Sequence, residues 1–249
     1  MREGGVSERG VSGRVALVTG ASQGIGAAVA RRLLDGGFTV VNVSRAPAAA
    51  HARMHDVVCD LLDADATERA AALIAERFAV THVVHNAGLV WPNLVEDVTA
   101  DEMRGMMRIH VDAPLALTQP LLPHMRERGG RIVFVTSRAA QGVPTRTAYG
   151  ASKAAVHSMV RTWALELGPH GITVNAVAPG PVLTDNFWSI IPKGSERERT
   201  LADALPVRRL GTVDDVAHAV MFMLHDDAGF TTGQVLHVCG GASVGTVQL

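Results

Sequence analysis

TGASQGIG, the stretch 19–26, follows a short apolar run and opens a segment with apolar residues at helical spacing. Its three glycines suit a strand-to-helix junction: Gly20 permits a tight turn, Gly24 lets the backbone approach a phosphate, and Gly26 lets the helix pack closely on the strand. A helix that begins here offers free N–H groups and its positive dipole end to a pyrophosphate. The turn therefore predicts a dinucleotide site, with a plain strand-to-helix turn as the alternative. The predicted members are Gly20, Ser22, Gln23, Gly24, Ile25 and Gly26.

Short β-branched runs alternate with longer helical patterns on either side of this turn. Continuous apolar strands suit a parallel sheet covered on both faces, and the alternation predicts right-handed crossovers. We therefore predict an α/β fold with a doubly wound parallel sheet (a Rossmann fold), forming a single domain at 14–249 after a loose tail at 1–13. The predicted strands are Arg14–Thr19, Thr39–Val43, Met54–Cys59, Thr81–Val84, Arg131–Thr136, Ile172–Val177 and Gln234–Val238. The predicted helices are Gly24–Gly36, Thr67–Phe78 (with Thr67 as N-cap), Thr99–Arg128, Tyr149–Leu167 and Val213–Leu224.

Composition excludes several classes of protein. Of the 249 residues, 47% are hydrophobic and 19% charged, and the formal net charge of −1 argues against a nucleic-acid partner. No run approaches the ~18 apolar residues of a membrane span, and the first residues do not resemble a secretory signal. Cys59 and Cys239 lie far apart and are expected to be small buried residues. We expect a cytoplasmic protein without a metal site.

The end of the second predicted strand bears on the choice of dinucleotide. A carboxylate there would bind the ribose 2′-OH of NAD, but the sequence has Ser44 and Arg45 instead. A hydroxyl and a guanidinium suit a 2′-phosphate. We predict NADP(H), with NAD(H) possible if Arg45 is only a solvated loop residue.

Tyr149 and Lys153 supply the candidate chemistry. They lie four residues apart at the start of a predicted helix and so share one face. A nearby ammonium would lower the pKa of the phenol, which could then exchange a proton with an alkoxide during hydride transfer. A helix-surface contact is the alternative. Ser137, at a predicted strand end, could hold the substrate oxygen, although Thr136 competes for that role and a plain turn serine is the alternative.

The segment Asp185–Leu205 follows a strand and mixes aromatic and charged residues, so we interpret 185–205 as a lid over the site. An apolar substrate is expected beneath it. Trp91 and Trp188 could instead pack against a neighbouring subunit. The predicted substrate residues are Leu89, Trp91, Val143, Phe187 and Trp188.

Taken together, these motifs resemble the short-chain dehydrogenase/reductase family, and the likeness spans most of the chain. The resemblance implies that Asp60, with Leu61 beside it, binds the adenine and that the Asn86–Gly88 stretch follows the adenosine ribose. It also implies that Lys153 binds the nicotinamide ribose. The loop after the sixth strand would cradle the nicotinamide. The further cofactor residues implied by the resemblance are Asn86, Ala87, Gly88, Pro179, Gly180, Val182 and Thr184.

The sequence departs from the family pattern in the long predicted helix. His110 stands where relatives have an asparagine whose carbonyl anchors a water that leads to the active lysine. A neutral imidazole can accept one hydrogen bond and donate another, so we include His110 among the candidate catalytic residues. The alternative is a histidine that fills the helix interior. Two smaller departures are a shorter loop after Ser137 and Cys239 before the last glycines.

Three functions remain open from the sequence. The first is an NADP(H)-dependent reductase of a ketone or 3-oxoacyl-type carbonyl, and the second is an NAD-dependent alcohol or dihydrodiol dehydrogenase. The third is a dinucleotide-binding regulator without turnover. The resemblance implies a small-molecule carbonyl or alcohol substrate and a homotetramer or homodimer.

Overall fold

A computed structural model describes residues 13–244, so most of the predicted tail lies outside the described residues. Seven parallel strands form one sheet in the order β3-β2-β1-β4-β5-β6-β7. The doubly wound parallel sheet predicted from the sequence is therefore confirmed. The strands are β1 (Val15–Thr19), β2 (Thr39–Ser44), β3 (Met54–Val58), β4 (Val80–His85), β5 (Gly130–Val135), β6 (Ile172–Pro179) and β7 (Val235–Val238).

The strand register brings the ends of the central strands to one edge. Thr19 ends β1 beside Val43 of β2, and the last residues of β4 and β5 pair with their neighbours at the same level. In an open parallel sheet, ligands bind at this carboxyl edge. The sequence motifs that follow these strands are therefore gathered along it.

Helices cover both faces of the sheet. The second helix begins three residues earlier than predicted because Asp63, not Thr67, accepts the N-cap hydrogen bond, from the N–H of Ala66 at 2.9 Å. Thr67 lies inside the helix and donates its hydroxyl to the carbonyl of Asp63. The helices are α1 (Gly24–Asp35), α2 (Ala64–Arg77), α3 (Ala100–Met107), α4 (Ala113–Thr118), α5 (Leu122–Arg128), α6 (Thr147–Leu167), α7 (Asp185–Trp188), α8 (Glu196–Asp203) and α9 (Val213–Leu224).

The single helix predicted at Thr99–Arg128 is divided into pieces. A π-helical turn at Arg108–Asp112 separates α3 from α4, and a 3₁₀ turn at Gln119–Leu121 separates α4 from α5. Prolines stand in the first turns of α4 and α5, where the missing N–H is tolerated. Pro114, two residues after the π turn, has no N–H to donate to a carbonyl of that turn, and turns of this kind often lie at functional sites.

Two apolar layers hold the helices to the sheet. On one face, Leu33 of α1 and Val220 of α9 are completely buried against β1, β2 and β5. On the other face, Ile74 of α2, Leu117 of α4 and Val160 of α6 pack against β1, β4, β5 and β6. Each such side chain contributes about 1.5–3 kcal/mol relative to an exposed one. The sheet edge that carries the site is therefore anchored from both sides.

The segment 185–205 contains α7 and α8 and their connection. Among residues 13–244, no helix has both the length and the apolar character needed to cross a bilayer.

Candidate functional site

A cavity of about 600 Å³ opens at the carboxyl edge of the sheet. This volume lies within the range of small-molecule and cofactor sites. Its walls include the predicted turn, strand-end and helix residues. The predicted cofactor and catalytic residues that line it are Gly20, Ser22, Gln23, Gly24, Ile25, Ser44, Arg45, Asp60, Leu61, Asn86, Ala87, Gly88, Ser137, Tyr149, Lys153, Pro179, Gly180, Val182 and Thr184.

The β1–α1 turn has the backbone that its glycines suggest. Gly20 and Gly24 have φ angles of 72° and 59°, a region that side chains disfavour. A Cβ on Gly26 would stand 2.1 Å from the carbonyl oxygen of Gly20, so only glycine fits there. Gly26 lies in α1 and is not part of the cavity wall. It allows α1 to pack directly on the carbonyl of Gly20.

The N-terminus of α1 differs from those of α2, α3 and α9. Asp63, Thr99 and Thr212 cap those three helices with their side chains, whereas the N-cap of α1, Gln23, makes no side-chain capping bond. The first N–H groups of α1 are thus free for an anion at the cavity wall. These residues fit the pyrophosphate of a dinucleotide.

Thr19 is a residue that sequence reasoning missed. Its hydroxyl oxygen accepts hydrogen bonds from the backbone N–H groups of Asn86 and Ala87, both at 2.9 Å. The Asn86 amide donates to the carbonyl of Thr19 at 3.0 Å. These bonds join the turn after β1 to the stretch after β4. A hydroxyl at the end of a first strand could have signalled this role.

At the other end of the cavity, Arg45 is exposed after β2, and Asp60 follows β3. Ser44 is already engaged, because its hydroxyl donates to the carbonyl of Ala46 and its oxygen accepts from the Asn42 amide. A serine hydroxyl has one proton. Arg45 is therefore the residue of this pair whose donors remain available for a 2′-phosphate. The sequence had led us to predict that both Ser44 and Arg45 would bind that phosphate.

The loop after β6 packs tightly against the end of β7. A Cβ on Gly180 would stand 2.8 Å from the Cβ of Cys239. Cys239 is buried, as is Cys59, in agreement with the expected small buried cysteines. Cys239 thus has a packing role beneath the loop that carries Pro179, Val182 and Thr184.

Tyr149 and Lys153 lie together in the first turns of α6. The Lys153 Nζ is 5.7 Å from the centroid of the Tyr149 ring and donates to the carbonyl of Val135, the last residue of β5, at 2.9 Å. The Ser137 hydroxyl interacts with the phenol and opposes the rise in its pKa. Ser137 Oγ also accepts from the N–H of Ala139 at 3.1 Å, which orients the hydroxyl.

Burial dominates the acid–base properties of this group. It lowers the pKa of Lys153 to about 7. Burial also raises the pKa of Tyr149, against the opposing effects of the Ser137 hydroxyl and the Arg146 charge. This differs from the expectation that Lys153 would lower it: the cation that acts on the phenol here is Arg146. At neutral pH the phenol retains its proton.

His110 lies in the π turn, buried beside this group. Its ring packs edge-on against Tyr149 at 5.5 Å, and its Nδ1 is 2.9 Å from Ser152 Oγ. Ser152 donates its only proton to the carbonyl of Tyr149, so Nδ1 of the histidine must carry the proton in their shared bond. Nε2 is then a lone-pair acceptor, buried and without a partner among the described residues.

The Nε2 atom of His110 lies beside Gly88. A Cβ on Gly88 would stand 2.7 Å from His110 Nε2 and 3.6 Å from Lys153 Nζ, so both nitrogens flank this glycine. Burial and the Lys153 charge hold the pKa of His110 far below its ordinary value. The imidazole is therefore neutral at any physiological pH.

The substrate side of the cavity is only partly as predicted. Leu89, Val143 and Phe187 line it. Trp91 packs on Gly105 of α3, and Trp188 packs against Phe187 and Lys193, so neither is among the described wall residues. Further wall residues, Ile190, Ile191 and Leu201, belong to the segment 185–205 that we interpret as a lid. The wall residues that the sequence did not indicate include Val90, Arg138 and Arg146. Within 13–244, no cluster of His, Cys, Asp and Glu has the geometry for a metal ion.

Comparison with known proteins agrees with this architecture. The family model described as enoyl-(acyl carrier protein) reductase matches residues 20–243. The short-chain reductase protein NovJ of Streptomyces niveus is 35% identical, with 91% of this chain and 93% of that protein covered. A short-chain dehydrogenase family protein of Francisella tularensis superimposes with a TM-score of 0.88 at 25% identity, covering 94% of this chain and 100% of the other.

A second solved structure bears on the coenzyme. A blue fluorescent protein from a metagenomic library, in complex with NADPH, has a TM-score of 0.82 and 33% identity, covering 94% of this chain and 99% of the other.

Proposed function

Because this chain belongs to the short-chain dehydrogenase/reductase family, we propose that it is an NADP(H)-dependent enzyme that reversibly reduces a ketone or 3-oxoacyl-type carbonyl to an alcohol. One observation carries the proposal: the Tyr149 phenol, the Ser137 hydroxyl and the Lys153 ammonium meet in the cavity that the glycine turn opens. The bound coenzyme would supply or accept the hydride. The protein's own task is to bind the oxygen and move a proton.

In the reductive direction, the Ser137 hydroxyl hydrogen-bonds the carbonyl oxygen, and Tyr149 donates its phenolic proton to that oxygen as charge develops. The raised pKa of Tyr149 keeps this proton in place at neutral pH. As the phenolate forms, the charge of Lys153, whose Nζ is 5.7 Å from the centroid of the ring, adds to that of Arg146 in stabilising it. Lys153 would also bind the nicotinamide ribose. The low dielectric of the buried site strengthens each of these interactions.

We assign His110 to the path that returns a proton to Tyr149. Its Nε2 lone pair can accept a hydrogen bond from a water that the Lys153 ammonium also binds, while its Nδ1–H is fixed by Ser152. The neutral ring positions the ammonium and does not itself titrate. This gives the histidine the acceptor function that the asparagine carbonyl has in relatives.

Arg45 supports the choice of NADP(H). It is exposed at the adenosine end, and no carboxylate follows β2 there. The similarity to the NADPH-bound protein points in the same direction. The alternative, an NAD-dependent alcohol or dihydrodiol dehydrogenase, predicts the opposite coenzyme preference.

The test is steady-state kinetics with both coenzymes and a panel of ketones and alcohols. We expect turnover with NADPH at a kcat/KM at least about tenfold above that with NADH. Tight coenzyme binding without any turnover would favour a regulator, and a preference for NADH would favour the alternative dehydrogenase.

We also propose that the chain forms a homotetramer or homodimer. Leu165 of α6, Phe222 of α9 and Phe230 are exposed apolar side chains, the last one fully so. Light scattering coupled to size exclusion would measure the assembly, and a monomer at micromolar concentration would contradict it.

A further inference from the structure

The turn that precedes α6 is strained at one residue. Thr145 has a φ of 65°, a left-handed conformation that is rare for a β-branched residue. Its carbonyl accepts from the N–H of Asn93 at 3.1 Å, and the Asn93 amide donates to Glu102 of α3 at 2.5 Å. The strained backbone is thus held from outside, and such strain is often retained where it positions a functional group.

The residue that this turn positions is Arg146. Its Nη1 donates to the Thr145 hydroxyl at 2.6 Å and to the Thr145 carbonyl at 3.2 Å. These bonds occupy one corner of the guanidinium, and the side chain is half-buried in the cavity wall. A guanidinium has five N–H donors, so its other donors are left for something else.

The charges around Arg146 are not balanced by the protein. The ion pairs formed within 13–244 do not include Arg146, Arg138 or Arg197. Arg138 follows Ser137 and lines the same cavity, while Arg197 of α8 acts electrostatically on Arg146. Burial lowers the pKa of Arg146, the charge of Arg197 lowers it further, and the one effect that raises it comes from the Tyr149 phenol.

Carboxylates on the cavity wall do not fill this gap. The two that line it are Asp60, at the adenosine end, and Asp185, exposed at the first residue of α7. Arg146 is three residues from Tyr149, close enough for its charge to act on the phenol. An anion bound by Arg146 would therefore lie near the reacting carbonyl.

We infer that the substrate of this enzyme carries an anionic group, a carboxylate or a phosphate, which Arg146 binds while the carbonyl lies at Tyr149 and Ser137. Arg138, whose Nη1 donates to the carbonyl of Ala242 at 3.4 Å, adds positive charge to the lining of the cavity. A planar guanidinium binds either group through two parallel hydrogen bonds. This inference rests on the proposed function, because it assigns the substrate of that same site.

The experiment compares matched ketones that differ in charge. One pair is 4-oxopentanoate and its methyl ester, and the other is dihydroxyacetone phosphate and dihydroxyacetone. The wild-type enzyme with NADPH should prefer the anionic member of at least one pair by about tenfold or more in kcat/KM, and this pair identifies the anion. The preference should fall with added salt because the interaction is electrostatic.

Arg146→Gln should remove the preference for the anionic ketone mainly through its KM. Because the Arg146 charge also acts on Tyr149, kcat should change by a similar factor for both members of a pair, so the ratio of their kcat/KM values is the readout. Arg146→Lys should retain part of it, since the charge remains without the planar fork. Arg161→Gln, on the exposed side of α6, is the matched control and should keep the wild-type preference. NADPH binding, measured by fluorescence, checks that each variant is folded.

Equal kcat/KM for charged and neutral ketones in the wild-type enzyme would overturn the inference and leave the proposed reductase intact. If no ketone is reduced, the proposed function fails. In that case, titration calorimetry would measure whether 4-oxopentanoate or dihydroxyacetone phosphate binds to the complex of the protein with NADP⁺, which tests the anion site separately. Binding that Arg146→Gln abolishes would support it, and undetectable binding of both probes would overturn it.

Discussion

The two ends of the cavity are built differently. At the coenzyme end, backbone groups form the surface: positive φ angles at Gly20 and Gly24, and the uncapped N-terminus of α1. At the substrate end, side chains do so: the Ser137 hydroxyl, the Tyr149 phenol and the partly bonded guanidinium of Arg146. The Nε2 atom of His110, without a partner among the described residues, is buried beside Gly88. A backbone surface suits a ligand common to a whole family, whereas side chains adapt one member to its own substrate and proton path.

The largest effect should come from Tyr149→Phe, which removes the group where the two ends meet. Loss of a general acid lowers kcat by roughly 10²–10⁴. Single-turnover reduction of a ketone would measure it, with NADPH affinity as the check that the coenzyme end is intact. A variant that kept more than a tenth of wild-type kcat would remove Tyr149 from the chemistry.

Next in size is Gly26→Val, which tests the backbone-built end alone. The new side chain would press on the carbonyl of Gly20, and overpacking of this kind destabilises by about 1–3 kcal/mol. NADPH affinity should fall with it, as measured by titration alongside thermal unfolding. Gly168→Ala is the control, because its Cβ would meet open space and its φ is negative. Equal behaviour of the two variants would contradict the close packing described here.

The preference for NADPH over NADH tests one contact at the coenzyme end of the cavity. Arg45→Asp should raise the KM for NADPH by about 10–100-fold more than that for NADH, since a charge-assisted contact contributes about 1.5–3 kcal/mol. Ser44→Ala should change the preference far less, because the Ser44 proton is already donated to Ala46. Equal effects of Arg45→Asp on both coenzymes would count against a 2′-phosphate contact.

The smallest expected effect lies at His110. His110→Leu removes the acceptor near Lys153, so the ammonium is less stabilised. The pKa of Lys153, which burial already lowers to about 7, should then fall further. The Tyr149 phenolate then loses support, and the acidic limb of kcat/KM for alcohol oxidation should move to higher pH by on the order of half a unit to one unit.

His110→Asn, which restores an acceptor, should retain activity and show a smaller shift than the leucine variant. Unchanged pH profiles in both variants would make His110 a packing residue only.

The same contrast explains how much the sequence could predict. Apolar runs and glycine spacing predicted all seven strands within two residues, because they depend on burial and backbone sterics that local sequence records. The prediction that Thr67 is the N-cap of α2 was wrong. Asp63 and Thr67 are both plausible caps, and only the folded chain distinguishes them. The sequence also placed Tyr149 and Lys153 on one helix face correctly.

Interactions between distant segments could not be predicted in this way. The direction of the Tyr149 pKa shift follows from burial, and the tautomer of His110 follows from Ser152. Trp91 was expected in the substrate wall but covers Gly105 instead, which no spacing rule shows. Each of these facts depends on which segments meet across the sheet edge.

The π turn at Arg108–Asp112 affects how this helical region can change in evolution when a residue is lost. A π turn holds one residue more than the α-helical turn it replaces. Deleting a single residue from it, such as Val111, would restore regular helix while α4 and α5 kept their places in the core. His110 would then rotate away from Gly88. Loss of one codon is therefore sufficient to remove the histidine from this position.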